Sequence, residues 1–269
     1  MRVSKVRLSM LLLLLALVAA TMAHVPLSGK SADAALAEDR AQTTPKRLLP
    51  ATNLRINVTA SRSDIKSLLD PKAVAWAEAT PTHILLNRTP RVYQTEPPFE
   101  GRIPGLEVRV LRAEGKFMAR LEWDDATKNA PEAPPRLTGE AGDPEKLYKR
   151  PTTATSLFAD AAAIMVPDNW TGPEFPSLQM GDAKNPVHIF YWNASRGAEE
   201  MTASGRTTTK SAGRPVACQA EHSEDKWHVT LELPEQPDGT PIAFAVWNGA
   251  SNDRDGLKFF SIWYVLVVN

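Results

Sequence analysis

The sequence predicts an all-β protein: an antiparallel two-sheet β-sandwich with a few short helices and long loops. Three observations support this prediction. Short apolar or alternating runs recur along the chain, and the helical period is almost absent. The chain also contains 22 prolines and seven tryptophans, which favour short strands joined by rigid turns over long helices. Many short strands separated by Gly/Pro-rich turns are typical of sandwiches.

The strands can be assigned in order along the chain. Residues 54–58 alternate at the period of a strand, and residues 106–111 and 117–123 form a hairpin around a Glu-Gly turn. The last two apolar runs are nearly continuous, which is typical of central strands. The remaining strands are predicted at residues 161–166, 187–193, 227–233, 242–248 and 259–268.

The segments between these strands predict one helix and two long loops. Residues 64–76 carry Ile65, Leu68 and Leu69 at helical spacing, and Pro71 should break the helix. Residues 124–151 are polar and proline-rich, as expected for a surface loop. Residues 167–186 contain four prolines and two glycines, which predicts a second loop.

The first 23 residues have the composition of a Sec-type secretory signal peptide. A basic segment precedes the leucine-rich run at residues 10–20, and small residues follow at 21–23. No twin-arginine pair precedes this run. We expect cleavage after residue 23, or alternatively near residue 37, because the run is too short to cross about 30 Å of hydrocarbon comfortably.

Beyond the signal, residues 24–50 lack apolar periodicity and predict a flexible leader. Residues 51–269 are then expected to form a single β-sandwich domain. No second apolar stretch of spanning length follows, so we expect no membrane span in the mature chain.

Charge, cysteine content and motifs exclude several functions. The 31 basic and 31 acidic residues offer no electrostatic case for nucleic acid or a membrane surface. Cys218 is the only cysteine, which excludes an internal disulfide, covalent c-type haem attachment and an iron–sulfur cluster. The histidines are scattered, and the motifs of serine hydrolases, P-loop proteins and zinc proteases are absent. Nothing therefore indicates hydrolytic catalysis.

Two residues stand in unusual positions. Met180 precedes a glycine at the mouth of a strand, where the backbone can approach a flat ligand closely and the thioether can point at it. Lys258 begins a very hydrophobic strand, where burial would lower its pKa toward the neutral amine that can bind a metal. On pattern alone, however, methionine is usually core filler, and a lysine at a strand entry usually reaches water.

The segments around these residues resemble the haem-b (gamma) subunit of the type II dimethyl sulfoxide reductase family. The same module is called the ethylbenzene dehydrogenase-related haem-binding domain. Six blocks occur in the order of the family and span roughly residues 70 to 268. The blocks are residues 108–113 with 119–125, 158–163, 180–182, 186–194, 243–249 and 255–266.

The resemblance implies a cofactor and its ligands. By position, Met180 and Lys258 are the axial ligands of the iron of one b-type haem held at one end of the sandwich. Trp192 and Trp247 are candidates for the lining of the haem pocket, as is Trp263, although ordinary sandwich core explains them as well. With both axial positions filled, the resemblance implies electron transfer and not catalysis on this chain itself.

The resemblance also implies partners and a location. Family members lie in the periplasm beside an iron–sulfur beta subunit and a molybdenum catalytic alpha subunit. They relay electrons between that complex and an external cytochrome or similar carrier. The complexes act on nitrate or nitrite, chlorate, selenate or hydrocarbons, and the sequence does not choose among these substrates.

Two alternatives remain open from the sequence. Tryptophan-rich sandwiches often bind sugars on exposed rings, so a carbohydrate-binding-module-like sandwich is one. A haem-free structural subunit that docks onto a partner is the other, and it predicts that Met180 and Lys258 are replaceable.

Overall fold

The computed structural model describes residues 54–89, 102–132, 158–172, 174–251 and 253–268. The predicted signal peptide, leader and most of the 124–151 loop lie outside these residues. None of the described helices is long and apolar enough to cross a membrane.

The described residues form fourteen strands, one short α-helix and two short 3₁₀ helices. The helix α1 spans Ile65–Leu69, and the 3₁₀ helices span Val74–Glu78 and Gly249–Ser251. The strands are β1 Arg55–Ala60, β2 Thr82–Leu85, β3 Asn87–Arg88, β4 Gly105–Ala113, β5 Lys116–Asp124, β6 Ala161–Pro167, β7 Val187–Asn193, β8 Gly197–Ala203, β9 Lys210–Val216, β10 Cys218–Ser223, β11 Lys226–Pro234, β12 Pro241–Trp247, β13 Phe259–Phe260 and β14 Tyr264–Val268.

The strands form two layers that share β12. Their hydrogen-bonded order is β10-β11-β5-β4-β1-β14-β12-β6-β7-β8-β9. The first two residues of β12 pair with β14 in the first layer, and its last five pair with β6 in the second. Among the described pairings, β1 runs parallel to β4 and β14, and every other named pair is antiparallel. The predicted β-sandwich is therefore confirmed, with β1 as the one strand that departs from the antiparallel pattern.

The main core lies between the two layers. Trp123 on β5, Trp192 on β7 and Trp227 on β11 meet there, with the rings of Trp192 and Trp227 only 4.9 Å apart between centroids. Alternate residues of a strand point to opposite faces. Ile189 and Tyr191 of β7 therefore face away from this core, and their side chains pack in a second apolar cluster. That second cluster surrounds the candidate site.

Several predicted elements differ in detail from the structure. The helix begins after Asp64, whose carboxylate accepts a hydrogen bond from the Ser67 amide at 2.9 Å, and it ends at Leu69; a separate 3₁₀ helix then begins at Val74. The single strand predicted at 259–268 is two strands. Ser261 interrupts it, because its hydroxyl and its amide both bond to the backbone of Phe244. This interruption separates β13 in the second layer from β14 in the first.

Candidate functional site

The outer face of the second layer has a floor of small side chains. Ala161 and Ala163 on β6, with Ala243 and Ala245 on β12, belong to the second apolar cluster. We call these four residues the alanine floor. Ala163 and Ala245 are direct cross-strand partners. Because each side chain ends at Cβ, a flat apolar group can approach this sheet more closely than it could approach larger residues.

Part of this face is covered by the loop at residues 168–186. Trp170, Phe175 and Trp263 form a chain of aromatic rings, each neighbouring pair with centroids 6.3 Å apart. The indole N–H of Trp263 donates to the carbonyl of Pro176 at 2.8 Å. Such contacts hold the loop against the sheet, and the loop carries Met180.

Met180 lies in a tight left-handed turn. Its φ is +72°, and that of Gly181 is +73°. The Gly181 amide donates to the carbonyl of Ser177 at 2.8 Å, and the carbonyl of Met180 accepts from the Gly205 amide at 2.9 Å. A Cβ at position 181 would lie 2.7 Å from the carbonyl oxygen of Asn185. The glycine after the methionine is therefore required both by the backbone angle and by the close approach.

Asp182 completes the turn. Its carboxylate accepts hydrogen bonds from the amides of Lys184 at 2.9 Å and Asn185 at 3.0 Å. These bonds, led by the one from Asn185, lower the pKa of the Asp182 carboxyl. The geometry of the turn therefore explains both the glycine and the aspartate that follow the methionine in the Met-Gly-Asp block.

Lys258 is positioned by a turn and by its own backbone. The Leu257 amide donates to the Arg254 carbonyl at 2.8 Å, and Asp255 within this turn has φ +49°. The carbonyl of Lys258 accepts from both the amide and the hydroxyl of Thr89, at 2.9 and 3.0 Å. The indole N–H of Trp247 donates to the carbonyl of Asp255 at 3.1 Å.

The ammonium group of Lys258 lies in an apolar environment. Its Nζ is 5.1 Å from the centroid of the Trp247 ring. Burial lowers the pKa of Lys258, and the nearby charge of Asp255 opposes this shift. The neutral amine is therefore more accessible than it would be in water.

Met180 and Lys258 meet at this point. The Sδ of Met180 and the Nζ of Lys258 are 3.9 Å apart, although 78 positions separate the two residues in the sequence. Trp247 lies beside them, but Trp192 does not. The side chain of Trp192 faces the main core between the layers and is 3% exposed. The structure therefore corrects the placement of Trp192, which lines no part of this site.

A cavity of about 1070 Å³ opens from this pair of residues. Its lining includes Met180, Ile189, Trp247 and Lys258, together with residues of the β7–β8 and β8–β9 turns. A smaller pocket of about 40 Å³ shares the first four residues and reaches three members of the alanine floor. The larger volume is at the upper end of the range for small-molecule and cofactor sites.

The described residues contain no cluster of three or more His, Cys, Asp or Glu side chains that could hold a metal ion. The sequence alone did not reveal the alanine floor. It also did not reveal that the ring of Tyr191 packs edge-to-face against that of Trp247, with 5.5 Å between the ring centroids. The alternation of alanine in β6 and β12 is the signal that could have indicated the floor.

Comparison with known proteins places the chain among gamma and haem subunits, although no protein-family model matches it. It is 32% identical over 174 residues to a Haloferax mediterranei protein provisionally described as a respiratory nitrate reductase haem subunit (60% of this chain, 55% of the relative). It is 26% identical to dimethylsulfide dehydrogenase subunit gamma of Rhodovulum sulfidophilum (94% of this chain, 92% of the relative). It is 27% identical to chlorate reductase subunit gamma of Ideonella dechloratans (73% of this chain, 78% of the relative).

The match to the Haloferax protein spans about half of that relative's length. Among solved structures, the chain is similar to a family 9 carbohydrate-binding module from Caldicellulosiruptor kristjanssonii in complex with cellotriose. The TM-score is 0.39 at 12% identity, over 80% of this chain and 93% of the module. A likeness at this TM-score supports no conclusion about the ligand of the chain.

The fold and the site define a β-sandwich in which a methionine and a lysine meet beside a large, partly apolar cavity. The relatives identify the chain as a homologue of the gamma or haem subunits of these three enzymes. Its resemblance to the haem-b (gamma) subunit of the type II dimethyl sulfoxide reductase family is thereby confirmed.

Proposed function

We propose that this chain is the haem-binding electron-transfer subunit of a molybdenum oxidoreductase complex, with Met180 and Lys258 as the axial ligands of one haem b. One observation carries the proposal. A thioether and an amine from distant parts of the chain are 3.9 Å apart beside a cavity of about 1070 Å³. The names of the relatives support it, since one is described as a haem subunit and two as gamma subunits.

The donors fit the proposed cofactor. Methionine is an established axial ligand of haem iron. A lysine amine binds a metal only when it is neutral, and burial lowers the pKa of Lys258 in that direction. Met180 would hold the haem iron through its thioether sulfur and Lys258 through its neutral amine, and these two atoms lie 3.9 Å apart in the structure.

The surroundings fit as well. The alanine floor lets a planar ring lie close to the sheet, and Trp247 and Ile189 exclude water from the inner end of the cavity. When bound, the haem supplies one-electron redox chemistry. Met180 and Lys258 would then occupy both axial positions, so the subunit transfers electrons and is not itself catalytic.

The proposal includes partners and a location. The chain would relay electrons between the iron–sulfur beta subunit, which serves the molybdenum alpha subunit, and an external cytochrome or similar carrier. Residues 1–23 would direct it to the periplasm as a Sec-type signal. Nitrate or nitrite, chlorate, selenate and hydrocarbons are the candidate substrate classes of the partner.

A carbohydrate-binding role has less support. All seven tryptophans of the chain lie within the described residues, and each is at most 9% exposed. Sugar-binding sandwiches stack sugars on exposed rings, and no tryptophan here offers one.

The test is an absorption spectrum of the purified protein after addition of haem, first oxidised and then dithionite-reduced. We expect the sharp reduced α-band of a six-coordinate, low-spin b-type haem. Met180→Leu and Lys258→Leu each place a branched apolar side chain at the position and remove its donor atom. Each should weaken this band or convert the spectrum to high spin.

Two matched variants serve as controls. Met201→Leu alters another methionine that lines the cavity, and Lys210→Leu alters an exposed lysine on β9. Both should keep the wild-type spectrum. A wild-type protein that stays colourless after haem addition would refute the proposed function, and a spectral change confined to Met201→Leu would refute the ligand assignment.

A further inference from the structure

The exposed part of the cavity lining is polar and basic. Arg196 lies in the turn between β7 and β8, and Arg206 lies in the turn between β8 and β9. Both line the cavity, together with Thr207 and Thr209. All four residues are exposed, so this part of the lining faces solvent.

Both turns are held by local hydrogen bonds. The Arg196 amide donates to the carbonyl of Asn193 at 3.0 Å. In the other turn, the hydroxyl of Thr208 accepts from the Ser204 amide at 2.8 Å and donates to the Gly205 carbonyl at 2.7 Å. The backbone that carries each arginine is therefore ordered without any contribution from its guanidinium group.

The guanidinium groups have no partner among the described residues. Neither Arg196 nor Arg206 forms an ion pair or a side-chain hydrogen bond there. Two of the three acidic residues that line the cavity are engaged elsewhere. Glu199 accepts from the Ser211 hydroxyl at 2.6 Å, and Asp253 binds Arg88 through two contacts of 2.5 Å. Asp255 belongs to the turn that precedes Lys258.

The cavity and the smaller pocket beside it thus offer two kinds of contact. The pocket presents three alanines of the floor and Trp247 to an apolar ring, and the exposed lining of the cavity presents two arginines and two threonine hydroxyls to an anion. A ligand that matches both is planar and apolar at one edge and carries acidic groups at the other. Arginine is well suited to carboxylates, because its planar donors can form two parallel hydrogen bonds with one carboxylate.

We propose that Arg196 and Arg206 bind the two carboxylates of the ligand in this cavity. Under the proposed function, on which this inference rests, these are the two propionate groups of the haem. The arginines then determine the orientation of the ring. The acidic edge faces solvent between the β7–β8 and β8–β9 turns, and the opposite edge lies toward the interior.

The experiment compares haem with its dimethyl ester, which keeps the ring and the iron but has no carboxylate. Each compound is titrated into the cofactor-free full chain and followed by the Soret absorbance, so the readout is affinity and not activity. The proteins are the wild type, the double variant Arg196→Gln/Arg206→Gln, and the control Lys210→Gln. The control removes an exposed charge next to Thr209 that does not line the cavity.

We expect the wild type and the control to bind haem roughly tenfold more tightly than the ester, because two exposed charge-assisted contacts are lost with the ester. The double variant should bind haem and ester with equal affinity, near the wild-type affinity for the ester. A wild-type preference for haem that survives in the double variant would overturn the inference while leaving the proposed function intact. Failure of the wild type to bind either compound would overturn both.

Discussion

Replacement of Asp253 by asparagine should destabilise the protein by breaking a buried ion pair. The carboxylate of Asp253 is completely buried, whereas the Arg88 side chain is 20% exposed, and two N–O contacts of 2.5 Å join them. The same carboxylate accepts a hydrogen bond from the Asn248 amide at 3.1 Å. An asparagine amide presents a donor where one of these contacts needs an acceptor, and it removes the negative charge that faces the guanidinium.

The magnitude follows from the burial of the two partners. Removing one partner of a buried pair costs about 3–5 kcal/mol. We expect about 3 kcal/mol for Asp253→Asn, because Arg88 retains some contact with water. For a folded region of this size, the melting temperature should fall by roughly 6–12 °C. Haem binding should weaken as well, since Thr89 follows Arg88 directly and holds the backbone of Lys258.

The assay is urea unfolding of the wild type, Asp253→Asn, Arg88→Met and the double variant, analysed as a thermodynamic cycle. The double variant should be at least as stable as Asp253→Asn, because it also removes the guanidinium charge that faced Asp253. Glu221→Gln is the control, since it breaks an exposed pair with Lys72 and should change stability little. A loss below about 1 kcal/mol for Asp253→Asn, with no coupling in the cycle, would contradict this reasoning.

Two further predictions concern the Met180 turn and a buried carboxyl. Gly181→Ala should lower the free energy of unfolding and weaken haem binding more than Gly213→Ala. Both glycines have positive φ, but only at position 181 would a Cβ collide with a neighbour, the carbonyl oxygen of Asn185. Equal urea midpoints and equal haem affinities for the two variants would show that this close approach does not matter. Burial, reinforced by the charge of Asp125, raises the pKa of Asp160 to about 7. Its folded form therefore holds a proton that the unfolded chain has lost above about pH 4, so its contribution to stability is full below that pH and declines until about pH 7. Asp160→Asn should accordingly have a lower free energy of unfolding than the wild type at pH 5, measured in urea, and this difference should become smaller by pH 8. A difference that does not change with pH would refute the raised pKa of Asp160.

The sequence predicted best the strands with strong apolar patterns. The strand at 187–193 coincides with β7, and the predictions for β6, β11 and β12 agree with the structure to within one residue at each end. The sequence analysis missed β2, β3, β8, β9 and β10. The last three of these strands are mostly half-buried or exposed and therefore carry little apolar periodicity. Each pairs with a strand adjacent to it in the chain, so the weak apolar pattern and not a distant partner explains why the sequence did not reveal them.

The candidate site shows the same division. The sequence singled out Met180 and Lys258 by their neighbours, and the structure brings them together. The sequence could not show that Trp247 lies beside the cavity and Trp192 in the main core, because both residues lie in strands that are apolar on both faces. Strand periodicity establishes that Trp192 and Tyr191 face opposite sides of β7, but it does not indicate which side borders the cavity. The side of β7 that borders the cavity depends on which face of the sheet the 168–186 loop covers.

By itself, then, the sequence determined the class of fold and the positions of the strongly apolar strands, and its family resemblance predicted Met180 and Lys258 as haem ligands. Those features depend on local composition and alternation, or on residue type at a single position. Only the tertiary structure decided that 3.9 Å separates Met180 and Lys258, that four alanines form one floor, and that two arginines border the opening of one cavity. These facts arise from the pairing of strands and the docking of loops, because residues far apart in the chain become neighbours only when the sandwich closes.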